Sequence, residues 1–240
     1  MKVKVGVLMH ARHPNTMNWE ELVWGVPAED RLGDLTALVE LILREVPQKP
    51  IACIVTGSTE TIKEGLLDGV YTKKYLLDHF NNLRDFPRLN VLINKLPPGG
   101  LAKVRKRLED MIVTTPLKNT ADEIVHSARI FSEQGIKEVI QVTSASHGPR
   151  CVQLQAIARA DGDIPAGQLW LLVISDMCFG TSKPKDTLVV ETPHRGDDPM
   201  LGFSPTLSEA LQPYFYNLSL PNKKQLNLQI KDYMDKHSQK

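Results

Sequence analysis

The chain has 240 residues, 42% of them hydrophobic and 24% charged, with 29 Lys and Arg against 28 Asp and Glu. That is the composition of an ordinary globular chain with enough length for a sizeable core, and it excludes the disordered, collagenous and coiled-coil classes. A formal charge of +1 argues against a nucleic-acid binder, which needs a marked positive excess, and no apolar run approaches the length of a membrane span. The cysteines Cys53, Cys151 and Cys178 are too few and too scattered for a disulfide framework, and no CxxC pair points to zinc.

The chain opens MKVKVGVLMHARHP. Its apolar part is too short for a secretory signal and no small-x-small cleavage pattern follows, so it reads as a first buried strand, Val3–Met9, in a protein of the reducing cytoplasm. Residues 12–29, with Trp19 and Trp24, read as a long loop of the kind that serves as a lid or insertion. Helical spacing then covers Arg31–Val46, an apolar strand covers Ile51–Thr56, and helical spacing returns over Thr59–Leu83. A second long loop, 85–100, contains Leu-Pro-Pro-Gly-Gly. Beyond it come a helix over Leu101–Asp110, a weak strand at Met111–Thr114, a helix over Thr120–Gln134 and a strand over Val139–Ser144. A helix over Pro149–Ala160 and strands at Leu169–Ser175 and Thr187–Glu191 complete the series. The remainder is loop-like, with helical pieces around Thr206–Tyr214 and Asn222–His237, a C-terminal helical extension at about 205–240.

Val- and Ile-rich strands alternating with helices of this length imply βαβ units, a mostly parallel sheet, and helices on both faces. A single α/β domain over 1–240 is the simplest organisation. Local signals agree with it. Asn119-Thr120 followed by Glu123 offers a capping box, Gly135 a left-handed stop, and Pro149 a helix start.

In such a sheet, ligands bind at the carboxyl ends of the strands, near the point where strand order reverses. The most informative strand end is VTSASHGPR, residues 142–150. There Ser144, Ser146 and the helix start offer donors for a phosphate or carboxylate, Arg150 a fork that closes on it, and His147 a proton near neutral pH. The structural alternative is that Ser146 caps the helix while His147 and Arg150 satisfy neighbouring carbonyls or acids. Residues 57–60, Gly57-Ser58-Thr59-Glu60, offer a second turn, with close backbone approach at Gly57 and Ser58 or Thr59 heading a helix. It lacks the P-loop and dinucleotide fingerprints. In NTADE, a capping box accounts for Thr120 and Glu123, and Asp122 complements the helix dipole. His10, Arg12 and His13 follow the first strand, where substrate contact is expected and metal is not, since HxRH supplies no third ligand. His194-Arg195 with Asp197 and Asp198 reads as a surface loop, KVRKR (103–107) as an exposed helix face, and Cys178 as a small buried residue.

The stretch NTADEIVHSARIFSEQGIKEVIQVTSASHGPR resembles the signature region of the YdcF/SanA/ElyC-like proteins, in which a Thr-led helix precedes a strand ending in a Val-Thr-Ser…His-x-x-Arg turn. The first strand, Arg31 and IVTGSTE resemble that family's earlier landmarks, so the similarity spans about 3–160. It implies a Rossmann-like fold, a three-layer sandwich with the site at the strand ends, and it points to Gly57, Thr120, His147 and Arg150 as pocket residues. The chain departs from the family at Ser58, where a second glycine is usual, and at Thr114, Glu123 and Gly148. Lacking the anchor of the SanA- and ElyC-like members, it resembles the YdcF-like branch, which implies S-adenosylmethionine as cofactor.

The function expected is that of a cytoplasmic small-molecule enzyme binding an anionic or nucleotide-like ligand. His147 would move a proton and Arg150 clamp the anion. Glu60, Asp122 or Glu123 would orient a ribose hydroxyl or ammonium, and His10, Gly57, Ser58, Thr59, Thr120 and Ser144 would line the pocket. The alternatives are a hydrolase or phosphotransfer enzyme on a phosphorylated metabolite, and a non-catalytic regulatory module. Exposed apolar surface at Trp19, Trp24 or the C-terminal helix would favour a homodimer.

Overall fold

The computed structural model describes residues 3–16, 18–45, 48–145 and 147–177, together with the backbone of 188–190 and 201–203. The chain is an α/β protein. Its elements are β1 Val5–Met9, α1 Trp19–Val23, β2 Gly25–Val26, β3 Arg31–Leu32, α2 Asp34–Leu43, β4 Ile51–Thr56, β5 Ile62–Lys63, β6 Leu66–Leu67, α3 Asp68–Asp78, α4 Pro87–Asn94 and α5 Gly100–Glu109. They continue with β7 Ile112–Val113, α6 Thr120–Glu133, β8 Glu138–Ser144, α7 Gly148–Ala160, β9 Leu169–Ser175, β10 Leu188–Val190 and β11 Leu201–Phe203. The central sheet has the order β7-β4-β1-β8-β9, and every pairing in it is parallel.

The alternation of side chains along each strand builds two cores, one on each face. Val7, Met9, Ile54 and Val142 pack with α2, α3, α4 and α5. Leu8, Cys53, Val55 and Val139 pack with α6 and α7. This is the Rossmann-like sandwich. The α6 face is fixed by Phe131, fully buried and so close to β1 that a Cβ on Gly6 would lie 2.6 Å from its ring. The helix ends as expected at Gly135, with φ +68°. The Gly135 amide donates to the Ser132 carbonyl and the Ile136 amide to the Phe131 carbonyl, the paired bonds of a Schellman stop.

Four expectations are corrected. Residues 59–67 are not helical: Glu64 and Gly65, both with positive φ, form the two-residue turn that a tight hairpin demands, pairing β5 with β6. The stretch 85–100 is not a loop, because Pro87 supplies the first turn of α4. The 12–29 segment is not a free lid, and its tryptophans are not an exposed surface. Trp19 is 3% exposed and Trp24 7%, and Trp19 packs 5.3 Å from Tyr71 and 5.2 Å from Tyr75 of α3, so neither tryptophan offers a surface to a second copy or another partner. Finally, β10 pairs antiparallel with β11, apart from the central sheet. Cys178, 194–198 and the expected helices around 206–214 and 222–237 lie outside the described residues. No helix among the described residues is long and apolar enough to cross a membrane.

Truncating Phe131 tests the α6 layer. Phe131→Ala is expected to lower the unfolding free energy by about 3–5 kcal/mol in urea denaturation; a loss below about 1 kcal/mol would show that this ring is not what holds the helix to the sheet.

Candidate functional site

From β1 the chain moves outward to β4 and β7, then returns through α6 to β8 on the other side of β1. Strand order therefore reverses between β1 and β8, and the carboxyl ends flanking such a switch point are where open α/β sheets bind ligands. The first turns of α6 and α7 both stand at this edge, because each helix begins where a strand of the sheet has just ended.

Two polar side chains continue the otherwise apolar α6/α7 face. His10 lies two residues beyond Leu8, and Gln141 two beyond Val139; both are buried. The His10 Nδ1 donates to Glu123 Oε2 at 2.8 Å, and its Nε2 donates to Gln141 Oε1 at 3.0 Å. The Gln141 amide is oriented by donating its own Nε2 to Gln155 Oε1 at 2.9 Å. With both ring nitrogens donating, His10 is an imidazolium. Burial pushes its proton affinity down, but the Cys151 thiolate and the Glu123 carboxylate outweigh burial and hold it charged well above the usual imidazole range.

Cys151 completes the cluster. It is fully buried in the first turn of α7, where the helix start favours a negative sulfur. Burial pushes the thiol up, yet the charges and hydrogen bonds of His10 and His147 overcome that and bring it down to about 6. His147 immediately precedes α7, without a side-chain hydrogen bond to the helix start, and is half-buried. Its ring stands edge-on to His10, 5.7 Å between centroids, and its Nε2 lies 3.4 Å from Thr120 Oγ1.

The position of Glu123 corrects the capping-box expectation. Asn119, not Thr120, caps α6, accepting the Asp122 amide at 3.0 Å. Glu123 is thereby released to His10. Its carboxylate lies so close to Gly57 that a Cβ there would meet Oε1 at 2.0 Å. The close approach at Gly57 is thus filled by the protein's own carboxylate.

Other expected site residues serve neighbouring networks. The Ser58 hydroxyl donates to Asp68 Oδ1 at 3.1 Å, the Thr59 amide to the same oxygen at 2.6 Å, and the Thr59 hydroxyl to Oδ2 at 2.7 Å. These residues anchor the start of α3 rather than head a helix themselves. Glu60 is exposed, and Asp122 Oδ2 accepts the Lys118 amide at 3.1 Å. Ser144 accepts from Arg12, whose Nε also donates to Asp34 Oδ2 at 2.6 Å. Asp34 Oδ1 in turn accepts the Ser175 hydroxyl at 2.7 Å, which ties the loop after β1 to the ends of β8 and β9. Arg150 is half-buried, one residue before Cys151.

His10, His147 and Cys151 each offer a ligand atom within 4.8 Å of the other two, a soft donor set suited to a zinc-like ion. To take one, His10 would have to surrender a hydrogen bond to Glu123 or Gln141. Cys151 and Gln141 are the functional candidates that sequence reasoning missed. A cysteine in the first turn of a helix after a strand end, and a glutamine at a core position of a buried strand, are the signals that mark them.

No protein-family model, no curated protein and no solved structure matches this chain. The geometry of the site therefore carries the functional argument by itself.

The cluster makes a spectroscopic prediction. The ultraviolet absorbance of the Cys151 thiolate, taken as wild type minus Cys151→Ser, is expected to titrate at about pH 6, and Glu123→Gln should move the midpoint upward by weakening the charge on His10. Stability should follow the proton count. Near neutral pH, above the ordinary imidazole value of 6.5 and below the ordinary thiol value of 9.0, the unfolded pair holds one proton, on sulfur. The folded pair also holds one, on His10, so the contribution of the pair is flat there. Urea unfolding between pH 6.5 and 7.5 checks this, and a steep slope there that Cys151→Ser removes would refute it.

Proposed function

We propose that this chain is a small-molecule enzyme that binds an anionic or nucleotide-like ligand in the crevice between β1 and β8. The observation that carries it is the meeting of His10, Glu123, His147 and Cys151 at the point where strand order reverses. Ionisable groups with strongly shifted proton affinities, gathered in such a crevice, mark a working site. His10 and Cys151 are buried within it, whereas His147 is half-exposed and stands beside the Thr120 hydroxyl. His147 is thus the group placed to exchange a proton with a ligand, and the imidazolium behind it supplies attraction for an anion. Arg150 would add a donor fork to that anion.

The likeness to YdcF-like proteins makes S-adenosylmethionine the first ligand to try, with Glu60 and Asp122 as carboxylates for its ammonium or ribose. The free thiols Cys53 and Cys151 fit a cytoplasmic setting.

Calorimetry and thermal unfolding with S-adenosylmethionine and a panel of adenine nucleotides test the proposal. A true ligand at a hundredfold its dissociation constant should add about 2.7 kcal/mol of stability, and His147→Ala should weaken that gain while leaving the unliganded protein folded. Absence of binding to the whole panel, with no shift in unfolding, overturns it.

A further inference from the structure

We infer that Cys151 is a nucleophile, whose sulfur, held beside His10 and His147, bonds covalently to an electrophilic carbonyl carbon of the ligand in the crevice. The inference rests on the proposed site and names its substrate class, an acyl-bearing anion.

Three placements support it. The sulfur and the two imidazoles gather within 4.8 Å of one another, so that both rings flank the proposed nucleophile. Glu123 accepts from His10 at 2.8 Å, which fixes the ring as the third member of such arrangements does. The first turn of α7 packs on β9, where a Cβ on Gly148 would lie 2.5 Å from Ile174 Cδ1.

The site also selects the chemistry. Alkyl transfer from a sulfonium releases a neutral thioether, which needs no proton. Acyl transfer releases an alkoxide or amine, which does, and His147 is within reach of the sulfur to supply it. The thiolate attacks the carbonyl carbon, and the S–C bond forms as the carbonyl electron pair moves to oxygen. That pair returns as the bond to the leaving group breaks, and the leaving group takes a proton from His147. Water then attacks the thioester and gives a proton to His147, and the sulfur departs as the thiolate that His10 stabilises. Cys151 itself is fully buried, so a ligand must enter past the half-exposed His147 ring to reach the sulfur.

Cys53 serves as the internal control. It is the more exposed of the two, at 8% against 0%, but burial pushes its thiol up. At neutral pH Cys151, brought down to about 6, is mostly thiolate, whereas the raised Cys53 is mostly protonated. Native protein is treated with iodoacetamide and, separately, with p-nitrophenyl acetate, and the adducts at each cysteine are followed by peptide mass spectrometry. Cys151 should be alkylated faster than Cys53 and should carry the acetyl group. His10→Gln should bring Cys151 toward the rate of Cys53. Alkylation of Cys53 as fast as Cys151 in the wild type, which requires no variant to fold, overturns the inference. So does an acetyl group found only on lysines, or a stoichiometric metal that shields Cys151 until it is chelated. Neither reagent needs the natural ligand. Cys151 labelling without nucleotide or S-adenosylmethionine binding refutes the ligand proposal alone, and the reverse pattern refutes the nucleophile alone.

Discussion

A positive imidazolium in a protein interior loses several kcal/mol of hydration, and it persists only where fixed partners replace the water. At the end of β1, His10 has those partners: the Glu123 carboxylate, the Gln141 carbonyl oxygen and the Cys151 sulfur. Each arrives from a different element, so α6, β8 and α7 converge on one ring. Much of the local sequence follows from this requirement. Position 57 tolerates no side chain because Glu123 fills the space, and Asn119 takes over the cap so that Glu123 can leave it. In choosing between a solvent-exposed cap and a buried charge, Glu123 serves the interaction whose loss would cost more.

A second polar network closes the other side of the strand ends. Arg12 spans Asp34 and Ser144, and Asp34 reaches Ser175. The loop after β1 is held down by this network and by the packing of Trp19 on the aromatic face of α3. This network and the His10–Cys151 cluster thus both stand at the carboxyl ends of the central strands.

The alternation of apolar runs and helical spacing was enough to read the parallel sheet and the layers, because strands buried on both faces carry little but Val and Ile. The strand ends were legible too, since parallel topology sends function there whatever the residues. Finer features required three-dimensional contacts. The hairpin at 62–67 turns on Glu64 adopting a positive φ, which its residue type does not announce. The capping box at 120–123 was a sound local pattern overruled by a partner 113 residues away. Cys151 was not legible because a cysteine's character is set by its neighbours, and although His147 lies four residues upstream, His10 reaches it only through the fold.

The ties on His10 have a consequence for when this chain acquires its chemistry. Its bonds to Glu123 and Gln141 link residues 113 and 131 positions apart, among the most non-local pairings in the described structure. Contacts of such separation close late, after nearer elements have consolidated. During synthesis and collapse the sulfur is therefore an ordinary protonated thiol, sluggish toward stray electrophiles and oxidants. Only docking of β8 against β1 arms it, so that reactivity is withheld until maturation is complete.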